Sequence, residues 1–262
     1  MEISLKGKTA LIGGSTAGIG RAIAHVLARC GASVLLVARN EDKLKATLAE
    51  LDHKQGQEHS YLATDFNDFE NQKAKIADFL ADRPIDILVN NTQGPQAGSV
   101  ANKDGADYQE AFNLLFQHTV YLTGLVLPYM RAEGYGRIIN VSSMTVKEPS
   151  PSLILSNTMR TALLSWAKSL SVDVAADGIT VNSVLTGFFD TDRLNSLMEM
   201  QAEQSGKPFE EVRDARIGKI PVGRLGDPLE YGYLVAFLAS PYAAFINGTA
   251  IPLDGGASVG LL

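Results

Sequence analysis

The chain has one cysteine in 262 residues, Cys30, so no disulfide can form within it and cross-links are excluded as its source of stability. Cys30 falls on the apolar face of the first predicted helix and reads as a core thiol, which makes a reducing cytoplasm the expected setting. No run of 18 apolar residues occurs, and residues 1–8 carry no long apolar region, so membrane spanning and export are both against expectation. Lys and Arg form no basic stripe, and the net charge is -6, which argues against a nucleic-acid partner. Of the four histidines, His53 and His59 have no Cys or His at metal-ligand spacing, so no metal is expected. His25 and His118 fall on predicted helices and no G-x-S-x-G elbow exists, so Ser-His-Asp hydrolysis finds no support. Repeats and linkers are also lacking. With 45% hydrophobic residues but only 7% aromatic, the chain is long enough to bury a full core as one α/β domain.

What is present begins at Thr9-Ala-Leu-Ile-Gly-Gly-Ser-Thr-Ala-Gly-Ile-Gly20. A short β-prone run over 9–12 leads into Ile19, Ala22, Ile23, Val26, Leu27 and Cys30 at helical spacing, which predicts a buried strand turning into a helix. Between them lie Gly13, Gly14, Gly18 and Gly20, which lack the Cβ that would stop a backbone turning tightly against a ligand. The first N–H groups of a helix have no intrahelical partner and sit at its positive end, so the pyrophosphate of a dinucleotide suits this turn. Its spacing is G-x-x-x-G-x-G, not the commoner G-x-G-x-x-G.

Strands are predicted over 33–38, 61–63, 85–89, 137–141, 179–184 and 249–253, and their near-continuous apolar character suits a parallel sheet covered on both faces. Arg39 directly follows the second strand, where an acid favours a free ribose 2′-hydroxyl and a cation a 2′-phosphate. The reading is NADP(H), with Arg39 as the phosphate contact, Asn40 as a lesser one and NAD(H) as the second option, since Ala17 supplies no further cation. Asp65, at the end of the third strand, either accepts from the adenine amino group or caps a helix beginning near Asn67. A surface helix is predicted over 41–55, one long helix over 104–130, another over 153–176 and a last one over 227–239. The wide apolar surface of 104–130 suggests burial on two sides, the sheet and a partner subunit. Residues 191–219 are charged and Met-containing, and read as a mobile helical flap whose Leu194, Leu197, Met198 and Met200 suit an apolar substrate moiety.

These residues resemble the short-chain dehydrogenase/reductase family over essentially the whole chain, and within it the 3-oxoacyl-acyl-carrier-protein reductase-like members. The opening loop matches T-G-x-x-x-G-I-G except at Gly13, and Asn90-Asn91-Thr92-Gln93-Gly94 is similar to N-N-A-G. Gly136-Arg-Ile-Ile-Asn-Val-Ser-Ser143, Gly178-Ile-Thr-Val-Asn182 and Asp254-Gly-Gly256 are also family-like. The resemblance implies a single Rossmann-type domain over 1–262 with about seven parallel strands and helices on both faces. It further implies a homotetramer or homodimer through the two long helices, and hydride transfer between nicotinamide and a carbonyl or alcohol. It carries cofactor contacts onto Gly14, Ser15, Thr16, Gly18, Ile19, Gly20, Arg39, Asp65, Asn91, Arg160 and Thr191.

The family's chemistry uses an Asn, a Ser and a Tyr-x-x-x-Lys pair. Ser143 matches the serine, but Ser156 stands where the tyrosine belongs and Arg160 where the lysine belongs. The Asn position falls on Leu115, with Asn113 two residues before, and Thr186 replaces the proline before Gly187. A serine hydroxyl is a weaker, shorter acid than a phenol beside an ammonium, and a guanidinium donates hydrogen bonds without releasing its proton. Ser143, Ser156 and Arg160 are therefore the expected catalytic positions, with Lys147 a conceivable substitute acid unless it is simply solvated beside Glu148. The leading expectation is an NADP(H)-dependent reductase of a carbonyl or 3-oxoacyl substrate. The alternative is a cofactor-binding protein of the same fold that has lost turnover and acts as a sensor or subunit partner.

Overall fold

A computed structural model describes residues 2–260. Its strands are β1 (Thr9–Gly13), β2 (Ser33–Ala38), β3 (Ser60–Ala63), β4 (Ile87–Asn90), β5 (Gly136–Ser143), β6 (Ile179–Thr186) and β7 (Ala250–Leu253). They form one sheet in the order β3-β2-β1-β4-β5-β6-β7, every neighbouring pair parallel. Parallel neighbours require crossovers, and these are α1 (Gly18–Arg29), α2 (Glu41–Glu50), α3 (Phe69–Leu80), α4 (Gly105–Phe112), α5 (His118–Glu133), α6 (Ile154–Asp173), α7 (Asp192–Ser205), α8 (Phe209–Ile217) and α9 (Pro228–Ala239). Strand order reverses between β1 and β4, and in such a sheet the crevice beyond the carboxyl ends at the reversal is where a ligand lies.

Successive strand residues point to opposite faces, which is why both layers can be filled from unbroken apolar runs. Ile12, Leu36 and Val184 pack with Ile23 and Leu27 of α1 and Tyr231 and Val235 of α9. Leu11, Leu35 and Val181 pack on the other side with Ile76 of α3, Leu122 and Val126 of α5 and Ala167 of α6. A separate small cluster, Leu194, Met198, Ala202, Val212, Ile220 and Leu225, holds α7 and α8 together.

The predicted elements differ from the observed ones mainly at their ends. The helix predicted over 41–55 stops at Glu50; Leu51 is buried and extended, and residues 52–59 run back to β3. The helix predicted over 104–130 is not one regular helix. Asp104 caps α4, a π-helical turn spans Asn113–Gln117, and α5 continues to Glu133, where Gly134 adopts φ 61° and ends it. A π turn inserts one residue into the helical count and swings the apolar stripe round the axis, so its residues read as apolar on every side. Cys30 is the C-cap of α1 and half-buried against the core rather than within it.

Candidate functional site

The loop from β1 to α1 is shaped by close approach. Gly14 adopts φ +56°, and a Cβ on it would stand 2.8 Å from Asn91 Nδ2. A Cβ on Gly20 would stand 2.2 Å from Gly14 O, so the first turn of α1 lies against the loop with no room for a methyl group. Asn91, just past β4, secures this arrangement from across the crevice, its Nδ2 donating to Gly13 O at 3.0 Å and Gly14 O at 3.4 Å. Ser15 is fully buried, with its N–H and Oγ both 3.4 Å from Val37 O, and therefore ties the loop to β2. Thr16 and Ile19 are half-buried, Ile19 against the core.

The helix start itself has no internal acceptor. Its N-cap, Ala17, has no side-chain oxygen to offer, and no acidic residue lies in the first turn of α1. Among the described helices, α2, α3, α4, α7 and α9 are capped by Asn40, Asp68, Asp104, Thr191 and Asp227, while α6 and α8, like α1, start without a side-chain cap; only α1 starts in the glycine cradle. An uncapped helix start over a cradle that excludes side chains fits the pyrophosphate of a dinucleotide. Thr191 faces the same turn, its Cγ2 3.1 Å from the place a Cβ on Gly18 would occupy, while its Oγ1 accepts from Leu194 N.

At the end of β2, Arg39 is exposed and makes no hydrogen bond or ion pair among the described residues. Asn40, expected as a lesser phosphate contact, has its Oδ1 engaged by Lys43 N at 2.9 Å as the cap of α2. Asp65 does not cap the helix that follows. Its Oδ1 accepts from Asn67 N and Nδ2, both at 3.0 Å, in a tight turn, and α3 starts at Phe69 under the carboxylate of Asp68.

On the far side of the switch point, Ser143 ends β5 in register with Thr186 at the end of β6. Ser143 Oγ accepts from Thr145 N at 3.2 Å and Thr145 Oγ1 at 3.0 Å, so it caps the short turn after β5 while its own O–H stays available to donate. Ser156 and Arg160 lie one turn apart on α6, Ser156 half-buried and Arg160 buried. Arg160 Nη1 donates to Val141 O at 2.5 Å. Burial pulls its guanidinium below the ordinary arginine range, with the Tyr231 phenol acting in the opposite sense. Thr186 Oγ1 donates to Tyr231 Oη, which donates in turn to Val184 O, each at 3.2 Å.

Some expected partners are elsewhere. Leu115 is buried in the core and Asn113 Oδ1 accepts from Gln109 Nε2, so neither presents an amide to the crevice. Lys147 is exposed, and Glu148 is not its ion partner: Glu148 Oε1 accepts from Val259 N at 2.7 Å and Gly260 N at 3.3 Å, fastening the chain's last described residues beside the β5–α6 segment. The sequence reading missed Thr145, whose only signal is a hydroxyl two residues past Ser143. It noted Thr186 as a missing proline without seeing that Tyr231, far along the chain, orients it. Residues 191–219 are helical as expected and reach over the site, where Arg193 Nη2 donates to Pro95 O at 3.3 Å. The segment past β4 is held in turn by Gly98 N to Ser152 O at 2.7 Å and Ile154 N to Gly98 O at 3.1 Å.

The chain is similar in sequence and fold to known proteins. A family model described as Enoyl-(Acyl carrier protein) reductase matches residues 14–258. The 3-oxoacyl-[acyl-carrier-protein] reductase FabG of Aquifex aeolicus is 32% identical over 257 residues, 98% of this chain and 99% of that protein. L-sorbose reductase from Gluconobacter frateurii, solved as a complex with NADPH and L-sorbose, superposes with a TM-score of 0.92 at 28% identity over 100% of both chains. YwfH, described as an NADPH dependent reductase involved in bacilysin biosynthesis, superposes with a TM-score of 0.90 at 28% identity, covering 97% of this chain and 99% of that one.

Proposed function

The chain belongs to the short-chain dehydrogenase/reductase family, with 3-oxoacyl-acyl-carrier-protein reductases among its relatives, and from that premise we propose that it is an NADP(H)-dependent oxidoreductase of a carbonyl or alcohol substrate. The observation that carries this reading is the uncapped start of α1 over a cradle closed to side chains, at the sheet's switch point and facing Ser143 and Arg160. In its support, the sorbose reductase was solved with NADPH and YwfH is named for NADPH. Arg39 offers the 2′-phosphate a guanidinium without a competing carboxylate, and Asp65, at the end of β3, lies where the adenine edge would sit.

When bound, the cofactor supplies a hydride to a carbonyl carbon or takes one from an alcohol. Gly14, Thr16, Gly18, Ile19, Gly20, Asn91 and Thr191 would hold its diphosphate and nicotinamide halves, with Ser15 fixing the loop to β2 from beneath, and Arg160 would offer hydrogen bonds to the nearer ribose. Ser143 donates its free O–H to the substrate oxygen, with Thr145 fixing the hydroxyl's direction. Ser156 adds a small polar surface but no phenol, so the proton that a tyrosine gives elsewhere in the family has to come from water. General acid catalysis is worth about 10²- to 10⁴-fold, whereas orientation of bound reactants lowers a barrier by roughly 7 to 11 kcal/mol, so turnover persists at a reduced rate. The substrate is a carbonyl compound with an apolar moiety facing α7, of which a 3-oxoacyl thioester is one form. The contact of a homodimer or homotetramer lies on α4, α5 and α6, where Phe112 and Val172 are exposed.

A second reading, a dinucleotide-binding sensor or subunit without turnover, is favoured by one observation: the phenol is replaced and no other acidic hydroxyl takes its place, Tyr231 being fully buried and satisfied. Stopped-flow oxidation of NADPH with acetoacetyl thioesters and a panel of ketones, run beside a cofactor titration, separates the two. Slow but saturable oxidation supports the reductase, and binding without oxidation across the panel supports the sensor. In the double variant Ser156→Tyr with Arg160→Lys the reductase reading expects about a ten-fold or greater rise in kcat, and an unchanged or lower rate with cofactor affinity intact shows that the site is rebuilt around other chemistry.

A further inference from the structure

Among the described residues two arginines are buried, and they are treated differently. Arg137 donates through Nη1 to Gly136 O and Gly178 O and lies over the Tyr135 ring at 4.3 Å, although its Nε is buried without a partner and it too has no carboxylate beside it among the described residues. Arg160 has the single bond to Val141 O, no ring beneath it and no carboxylate within ion-pair distance. Polar side chains at this end of β5 and β6 include the hydroxyls of Ser143, Thr145 and Thr186, the last bonded to Tyr231. The one acidic group on the β5–α6 segment, Glu148, is turned to backbone N–H groups of residues 259 and 260. A guanidinium has five N–H donors, so among the described residues most of this one's hydrogen-bonding capacity is unused and its charge has no anionic partner.

A buried cation without an anion is costly, and a ligand that completes the pair relieves that cost. The cofactor's ribose can accept hydrogen bonds from Arg160 but brings no negative charge, and the cofactor's own phosphates belong at α1 and Arg39. The fork of a guanidinium matches a carboxylate edge to edge. The serine at 156, in place of a phenol, leaves the approach to Arg160 shorter by a ring. We propose that Arg160 receives the carboxylate of the substrate, so that the compound acted on is a small oxo acid, not an acyl chain esterified to a carrier. This assignment rests on the oxidoreductase reading and narrows its substrate class. It also explains why arginine stands here where the family has lysine: a planar fork binds a carboxylate bidentately, and an ammonium does not.

The test is calorimetric and does not depend on turnover. The protein is first saturated with NADP⁺, then titrated with 2-oxobutyrate, acetoacetate and levulinate and with the methyl ester of each. The proposal expects at least one acid to bind about ten- to hundred-fold more tightly than its ester, as charge-assisted bonding to a buried donor should. Arg160→Met, tested at its own saturating NADP⁺ concentration, should abolish that preference, and Arg160→Lys should keep only part of it. In the absence of any ligand, Arg160→Met should melt no lower than the unchanged protein, because an unpaired buried charge is replaced by an apolar chain of similar length. Equal affinity for acid and ester throughout the series, or a preference that survives in Arg160→Met, overturns the assignment. Failure of NADP⁺ itself to bind is a different result, and it removes the oxidoreductase reading on which the assignment stands.

Discussion

Arg39 extends past the end of β2 with no partner of its own, and this makes it the cleanest single test of cofactor choice. Arg39→Asp should weaken NADPH by roughly 1.5 to 3 kcal/mol, about ten- to hundred-fold, while leaving NADH unchanged or slightly improved. Titrating both cofactors against the quenching of Trp166, the only tryptophan, measures the ratio. His118 is a different kind of residue, a buried ring 4.1 Å from that of Phe66 with Nδ1 unpartnered. Burial holds its pKa to about 3. The unfolded chain therefore takes up a proton below about 6.5 that the folded ring refuses, so stability falls as pH drops from about 6.5 toward 3. Between pH 7 and pH 5 the loss attributable to His118 is about 2 kcal/mol, and urea unfolding of His118→Phe should show an acid limb shallower by that amount.

At the scale of the element, what could be read in the sequence depended on whether the signal was local. The β1–α1 turn was legible because Gly14, Gly18 and Gly20 mark it directly, and β2 because Ser33–Ala38 is a short, nearly continuous apolar run. The π turn at Asn113–Gln117 was not, since an inserted residue smears the very periodicity that reveals a helix. The same smearing made 104–130 read as apolar on all sides, yet Phe112 is 36% exposed at the end of α4 and Val172 68% exposed near the end of α6. If these helices form the subunit contact, Phe112→Glu combined with Val172→Glu should convert the oligomer to monomer, as sedimentation velocity would show. An unchanged oligomer places the contact elsewhere. At the candidate site, the resemblance to the family pointed to Ser143, Ser156 and Arg160, and the structure puts them on β5 and α6. Their partners could not be read in that way: Val141 O, Thr145 and the Thr186–Tyr231 pair meet only when β5, β6, α6 and α9 are assembled.

For the whole molecule, Ser143 and Thr186 end β5 and β6 side by side with Arg160 tied to Val141 O, while the β1–α1 turn across the switch point is closed to side chains. Under the oxidoreductase proposal the first group meets the substrate and the second the cofactor, which makes cofactor binding the claim on which the others stand. Isothermal calorimetry of the purified chain with NADPH and with NADH tests that claim most directly: one site per chain with NADPH the tighter ligand is the expected result, and no heat of binding from either cofactor would contradict the account.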